Sequence, residues 1–421
     1  MDRIVGKKKL KGAIEGISSK SYAHRAIFCA ALSPGESHLV IDHLSKDIEA
    51  SLEAISAMGV EVKQEGSHYF ICPPDQYQSP AKIPVGESGT TLRLILPILA
   101  ALGIEAEVIR SGSLINRTNV VYFDSFPEHG VAISQQGPSI FLKGKLENYH
   151  FSLPGNISSQ FISGLLLASG LSNKPAQINI TTAMESKPYI DMTVDVMAHF
   201  GVQIKQEGRT FTCQGPFQSS YYQVEKDWSN ALFFLAGGVE VQGLNPDSKQ
   251  GDRQALTFLQ SLGYENMAQE DFHLVKRQPS QKEVSLDARD MPDTVPILCV
   301  LAGLCQTKTR VVHTKRLRLK ESDRVLSTSQ MLENLGVKVD VEEDSFSFTG
   351  IDHYQSCTVH AHNDHRIAMA ASIAATFADG PVTVIDSHSV EKSYPGFFED
   401  FKSLGAVSYT HLRAHETRED L

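Results

Sequence analysis

Basic side chains in this sequence gather where a polar stretch opens a strongly apolar run. Lys20 and Arg25 stand at the start of SSKSYAHRAIFCAAL, Arg93 in ESGTTLRLILPILAAL and Arg366 in HNDHRIAMAASIAATFA. Arg117, Lys187, Lys320, Arg324 and Lys392 lie in polar loops that follow short strand patterns. A helix N-terminus presents unpaired N–H groups and a partial positive charge, which suits phosphate or carboxylate. Arginine adds two parallel donors for such an anion, and lysine adds a point charge or a transferable proton. The formal net charge is −10. Cations collected at these places oppose that overall field and point to a trap for a multiply charged small anion.

Each feature also has a plain structural reading. The serines of SSKS and NISSQ are ordinary helix caps by default. Arg93 could be an ion-pair partner within an apolar helix, and KESDR (320–324) could be a solvated helix face. Six similar sites shift the balance toward ligand binding. The run from His360 to Arg366 invites a metal: His360 and His362 would share a strand face, with His365 at the next helix start. No cysteine or carboxylate set completes a coordination sphere there, and Arg366 would repel a cation, so no metal is expected. Neither a dinucleotide fingerprint nor a P-loop is present.

The elements that must carry these side chains repeat at intervals of about seventy residues. A helical pattern ends in glycine six times, at Gly59, Gly130, Gly201, Gly263, Gly336 and Gly405. Glycine there reads as the left-handed residue that closes a helix. Five of the six are followed by an alternating hairpin pattern, such as QIKQEGRTFTCQG after Gly201. Ahead of each glycine lies an apolar run with no polar face, which must be buried on nearly all sides. The expected fold is α/β, with two similar lobes of three repeated units, buried helices being covered by sheets and outer helices in an inside-out α/β barrel. If the lobes are built alike, the six helix starts would face one cleft. After Gly405 the chain reads AVSYTHLRAHETREDL, without apolar alternation. Residues 407–421 are therefore expected to be a foreign or disordered tail. Arg3 to Glu15 is expected to supply strands to the lobe built by the last three units. The lobes would be 1–19 with 226–406, and 20–225.

Composition fits this picture. A chain of 421 residues exceeds one ordinary core and suggests two domains of about 200 residues each. No apolar run reaches membrane-spanning length, and the basic N-terminus lacks the apolar stretch of a secretory signal. The acidic balance argues against nucleic-acid binding. Six scattered cysteines with no CxxC pair suit a reducing cytoplasm.

Eight stretches in order, GISSKSYAHRA, GESGTTLR, GNISSQF, ESKPYIDMT, MPDTV, KESDR, NDHRIAMA and EKSYPGFFEDF, resemble the signature stretches of the EPSP synthases, a family of enolpyruvyl transferases. The resemblance runs from about Lys11 to Gly405. It implies transfer of the enolpyruvyl group of phosphoenolpyruvate to shikimate 3-phosphate, in the shikimate pathway of aromatic amino acid biosynthesis. It implies small anionic substrates, no cofactor, no metal, no nucleic acid and no membrane, in a cytoplasmic enzyme expected to be a monomer and a glyphosate target. By the same resemblance, Lys20, Ser21, Arg25, Ser158, Ser159, Gln160, Ser186, Tyr189, Asp293 and Lys320 would hold shikimate 3-phosphate. Lys20, Gly89, Arg117, Gln160, Arg324, Arg366 and Lys392 would hold phosphoenolpyruvate. The catalytic set would be Asp293, Glu321, Lys20 and His365. Three positions depart from common family residues: Glu87, Thr118 and Arg316.

The chemistry so implied needs an acid and a base flanking one carbon pair. Asp293 is the expected base for the 5-hydroxyl and Lys20 the expected proton donor, with Glu321 able to exchange roles with Lys20. A rival is the sister transferase acting on UDP-N-acetylglucosamine, which usually carries a reactive cysteine in the loop here read as RSGSLINRT. A second is a non-catalytic anion-binding protein, which would not require Asp293, Glu321 and Lys20 together. A third, RNA-end processing, is disfavoured by the charge balance.

Overall fold

The computed structural model describes residues 2–267, 271–276 and 283–411. The chain forms two compact units. The central unit comprises Ser18–Lys226 with Lys249–Gly251; the terminal unit comprises Met1–Ile17, Asp227–Ser248 and Asp252–Leu421. Gln250 ties the short second segment to the central unit: its amide donates to Glu225 Oε1 at 2.6 Å and to the Lys226 carbonyl at 2.7 Å. Each unit has its own apolar core.

The central unit contains helices α1 (Lys20–Leu32), α2 (Lys46–Ala57), α3 (Gly89–Leu102), α4 (Val120–Ser125), α5 (Ser159–Ser169) and α6 (Lys187–His199). The apolar runs become α1, α3 and α5. Their burial is nearly complete, as a helix without a polar face requires. Gly164 lets α5 approach α3 closely, because a Cβ there would collide with the Arg93 carbonyl and the Tyr122 hydroxyl. Three four-stranded sheets cover the helices. One joins Tyr221–Gln223, Ser37–Val40, His68–Cys72 and Glu61–Glu65. The second joins Ala81–Gly86, Ala106–Arg110, Ser139–Gly144 and Val131–Gln136; the third joins His150–Leu153, Ala176–Ile180, Thr210–Gln214 and Gln203–Glu207. Each has one parallel pair followed by an antiparallel hairpin. The last strand of the unit thus completes its first sheet.

The terminal unit repeats the plan with α7 (Trp228–Ala236), α8 (Ala255–Ser261), α9 (Val295–Ala302), α10 (Arg324–Asn334), α11 (His365–Ala375) and α12 (Phe397–Ser403). Every residue of α7, α9 and α11 is buried. One sheet, Val284–Asp287, Lys308–Val312, Ser345–Thr349 and Val339–Val341, has the pairing seen in the central unit. In another, Ala13–Glu15 pairs in parallel with Glu240–Gln242, and a single bridge from Val241 to Phe272 links it to the hairpin Tyr264–Asn266 and Leu274–Lys276. All six helix-stop glycines have positive φ, from 83° to 101°.

The third sheet includes the first residues of the stretch expected to be a foreign or disordered tail, and Ser408–His411 is ordered there as a strand. Ser408–His411 pairs antiparallel with Asp2–Val5, which in turn pairs with Val382–Ile385. The two chain ends together build the sixth hairpin. Ser408–His411 lies at the sheet's edge, and Tyr409 is 66% exposed. An edge strand held by backbone bonds needs little apolar alternation. Residues 412–421 lie outside the described residues.

Candidate active site

In the central unit, apart from Leu102 at the end of α3, the few residues of the buried helices that escape full burial lie near their N-termini. They include Lys20 and Ser21 on α1, Thr90 and Arg93 on α3, and Gln160 on α5. Lys20 Nζ donates to Asp47 Oδ2 at 2.8 Å. Gln160 is fixed twice: Arg93 Nη1 donates to its Oε1 at 2.7 Å, and its Nε2 donates to Thr90 Oγ1 at 2.8 Å. Gly89 opens α3 directly against two guanidinium groups. A Cβ there would lie 3.1 Å from Arg117 Nη1 and 4.0 Å from Arg93 Nη1. The structure thus brings Gly89, Arg93, Arg117 and Gln160 together.

The serines divide. Ser158 caps α5, accepting from the Gln160 N–H at 3.3 Å. Ser159 follows it, largely buried. Ser19 makes no cap bond; its hydroxyl donates to Gln250 Oε1 at 3.2 Å. Ser186 precedes α6 with a φ of 53° and also makes no cap bond. Arg25 is 1% exposed and ties α1 to α6, donating to the carbonyls of Ser21 (2.6 Å) and Tyr189 (2.7 Å) and to Thr193 Oγ1 (2.8 Å). These bonds engage three of its five N–H donors.

In the terminal unit, Asp293 lies just before α9 with cations around it. Arg324 Nη1 donates to Oδ1 at 2.6 Å and Arg366 Nη2 to Oδ2 at 3.3 Å; Lys320 Nζ lies 3.7 Å from Oδ1. Arg324 is fully buried and also donates to Glu321 Oε2 at 2.6 Å and Asp364 Oδ2 at 2.8 Å. Arg366 Nη1 donates to Asn230 Oδ1 at 2.9 Å. Lys392 Nζ donates to the Asn363 carbonyl at 3.0 Å. His365 is 2% exposed at the first position of α11.

The electrostatics follow from this packing. Burial alone would raise the Asp293 carboxyl, but Lys320, Arg324 and Arg366 outweigh it and hold the group well below the usual carboxylate range. Burial brings the Lys320 ammonium down to about 8, although Asp293 opposes the shift. Burial acts against Arg324 too, yet Asp364, Glu321 and Asp293 keep its guanidinium firmly protonated. Asp252, which accepts from Ser229 Oγ at 2.6 Å, is raised to about 7 by burial and then by the Asp293 charge.

Two sequence readings change. KESDR is not a solvated face: Arg324 is buried and Asp323 caps α10. Arg93 donates to the Gln160 amide oxygen and the Thr118 carbonyl. His362 does not share the strand of His360; it sits in a turn with a φ of 52°. Among the described residues, no three His, Cys, Asp or Glu side chains converge to hold a metal ion. Sequence reasoning missed Asp364, the buried cap of α11 that anchors Arg324, and Asn230, the partner of Arg366. An aspartate ahead of an apolar helix was the available signal for Asp364. Nothing in sequence marked Asn230.

Gly89→Ala should raise KM for the ligand bound at this helix start. The added methyl would stand 3.1 Å from Arg117 Nη1, so the guanidinium must yield. A rise of about tenfold with stability unchanged is expected in steady-state kinetics. An unchanged KM would place the ligand elsewhere.

Among the described residues, no helix is long and apolar enough to cross a membrane. The repeated α/β units carrying arginine clusters at buried-helix starts have the fold of the enolpyruvyl transferases. An EPSP synthase from Acinetobacter baumannii matches with a TM-score of 0.78 over 97% of this chain and 100% of that one, at 23% identity. The enolpyruvyl transferase NikO from Streptomyces tendae matches with a TM-score of 0.77 over 97% and 98%, at 16% identity. In sequence, the family model for EPSP synthase (3-phosphoshikimate 1-carboxyvinyltransferase) covers residues 4–401. The 3-phosphoshikimate 1-carboxyvinyltransferase of Clostridium perfringens is 36% identical over 96% of this chain and 98% of its own length. That of Clostridium acetobutylicum is 37% identical over 94% and 95%. The chain belongs to the EPSP synthase family.

Proposed function

We propose that this enzyme transfers the enolpyruvyl group of phosphoenolpyruvate to the 5-hydroxyl of shikimate 3-phosphate, releasing phosphate. The observation that carries the reading is Asp293, a carboxylate held ionised by Lys320, Arg324 and Arg366 at the start of a buried helix. It works in the cytoplasm, where six free thiols are at home.

Asp293 takes the proton of the 5-hydroxyl as its oxygen bonds to C2 of phosphoenolpyruvate. An acid delivers a proton to the methylene carbon C3, and a tetrahedral ketal results. C3 then loses a proton, the C2–O bond to phosphate breaks, and the double bond reforms. Lys20 is the assigned acid, with Glu321 the alternative. In the unliganded protein, Asp293 is a weak base because three cations surround it. Anionic ligands on those cations offset their charge, so its proton affinity rises as the substrates arrive. Arg117, Arg324, Arg366 and Lys392 hold carboxylate and phosphate and stabilise the leaving group. Ser158, Ser159, Gln160, Ser186 and Tyr189 line the shikimate phosphate side, with Lys20 and Ser21. Arg25 positions Ser21 and Tyr189 through their carbonyls and offers its remaining donors to shikimate 3-phosphate. His365, at the first position of α11, completes the proposed catalytic set.

Phosphate release from phosphoenolpyruvate tests the reading, with shikimate 3-phosphate and in parallel with UDP-N-acetylglucosamine. Release with the former alone is expected. Release with the latter alone would move the assignment to the sister activity. Release with neither, from folded protein, would leave an anion-binding role.

A pH dependence follows from Lys320. Its folded-state pKa is lowered to about 8, so the cation is present below that pH and lost above it. kcat/KM for shikimate 3-phosphate should therefore fall as pH rises through about 8. Lys320→Arg should keep the plateau into the alkaline range; an identical alkaline limb in that variant would assign it to another group.

A further inference from the structure

A line of buried polar side chains runs beneath the start of α3 and takes no part in the chemistry above. His24 Nδ1 on α1 lies 2.8 Å from Ser51 Oγ on α2. Ser51 Oγ lies 2.8 Å from Thr91 Oγ1 on α3, which lies 2.8 Å from Ser88 Oγ, the cap of α3. His24, Ser51 and Thr91 are 0% exposed and Ser88 1%. Thr91 Oγ1 also reaches the carbonyl of Asp47 at 3.4 Å, and the Asp47 carboxylate binds Lys20. The line therefore joins the helix start that carries Gly89 to the helix start that carries Lys20.

The line has a direction. Burial first, then Lys20 and Arg25, keep the His24 imidazole neutral, so it carries one ring proton. Its Nε2 is buried without a hydrogen-bond partner. A buried N–H left without an acceptor is the rarer defect, which places the proton on Nδ1. His24 then donates to Ser51, Ser51 to Thr91, and Thr91 to Ser88, while Ser88 Oγ accepts the Thr91 N–H at 3.2 Å. Hydrogen bonds in a buried, low-dielectric chain of this kind are strengthened and favour the one arrangement of the elements that makes them. An apolar contact between three helices would allow small slides. A Cβ on Gly89 would stand 3.1 Å from Arg117 Nη1, so slides there would be felt at the ligand.

We propose that His24, Ser51, Thr91 and Ser88 form a positioning chain that fixes the start of α3, and with it Gly89 and Arg117, for phosphoenolpyruvate. This rests on the proposed function for the identity of the ligand.

The test uses the full chain with Ser51→Ala, Thr91→Val and Thr91→Ser. Two measurements are made on each: the KM values and kcat with both substrates, and amide hydrogen exchange over residues 88–92. Thr91→Val keeps the shape and removes the hydroxyl. It should raise KM for phosphoenolpyruvate about fivefold, leave KM for shikimate 3-phosphate nearly unchanged and speed exchange at 88–92. Ser51→Ala should do the same, and Thr91→Ser should restore both readouts. Unchanged exchange and KM in folded Thr91→Val would overturn the chain. So would equal loss toward both substrates, or failure of Thr91→Ser to restore. If the wild-type protein turns over neither substrate, the functional reading fails by itself, and exchange at 88–92 still decides whether the chain positions α3.

Discussion

Asp293→Asn is expected to reduce kcat by about 10²–10⁴-fold while shikimate 3-phosphate still binds. The asparagine amide preserves size and can accept one hydrogen bond, but it cannot take the 5-hydroxyl proton. Its surroundings keep their shape, because Arg324 retains Glu321 and Asp364, and Arg366 retains Asn230. Binding, read by calorimetry, should therefore survive the change that abolishes turnover. One side effect has a definite sign. Removing a negative charge leaves Lys320, Arg324 and Arg366 less compensated, so anion affinity should hold or increase. Full turnover in a folded Asp293→Asn protein would remove Asp293 as the base and turn attention to Glu321, which shares Arg324 with it.

Arg324→Met is expected to cost about 3–5 kcal/mol of stability, the range for breaking a buried ion network by removing one partner. Arg324 is 0% exposed and faces three carboxylates: Asp293, Glu321 and Asp364. Without its guanidinium, Asp364 is left 0% exposed with only Ser322 Oγ (3.0 Å) and the cap bond to the Arg366 N–H (2.9 Å) among its short contacts. The Asp364 carboxylate would then draw in water, and the caps of α11 and α10 would loosen together. Urea unfolding followed by far-ultraviolet circular dichroism reads the loss. Because the terminal unit has its own core, the loss should appear in a transition belonging to that unit. A cost below about 1 kcal/mol would mean that the three carboxylates relax into solvent and that the network is not closed.

The two variants differ in kind although their residues touch. Asp293 gains its function from being ionised and reachable. Arg324 is fully buried, and its donors already hold three protein carboxylates and the Pro292 carbonyl. A phosphoenolpyruvate carboxylate or phosphate would have to share Arg324 with those partners; in the central unit, Arg117 Nη1 lies 3.1 Å from where a Cβ on Gly89 would stand.

Much of the architecture was legible in the residues. The apolar runs had no polar face, and such helices can only be buried. The six glycines sat where a helix must turn left-handed, and all six do. The hairpin patterns after five of them alternate because one face of each sheet meets the core. The sixth hairpin was illegible, since an edge strand at Ser408–His411 is selected by backbone pairing with Asp2–Val5 rather than by side-chain alternation.

The site divides along the same physical line. Cations at helix starts could be read from sequence, because capping positions, strand ends and charge are local properties of the chain. Partnership could not be read. Arg324 and Asp364 are 40 residues apart, Arg366 and Asn230 are 136, and Arg93 and Gln160 are 67. Which guanidinium is spent on a buried carboxylate and which is left facing a ligand depends on burial and on distances of a few ångströms. Sequence alone therefore determined the repeat, the buried helices and the anion-binding residue types. Only the tertiary structure decided which charges offset one another, because charge interactions depend on separation and surrounding dielectric, and the packed chain sets both.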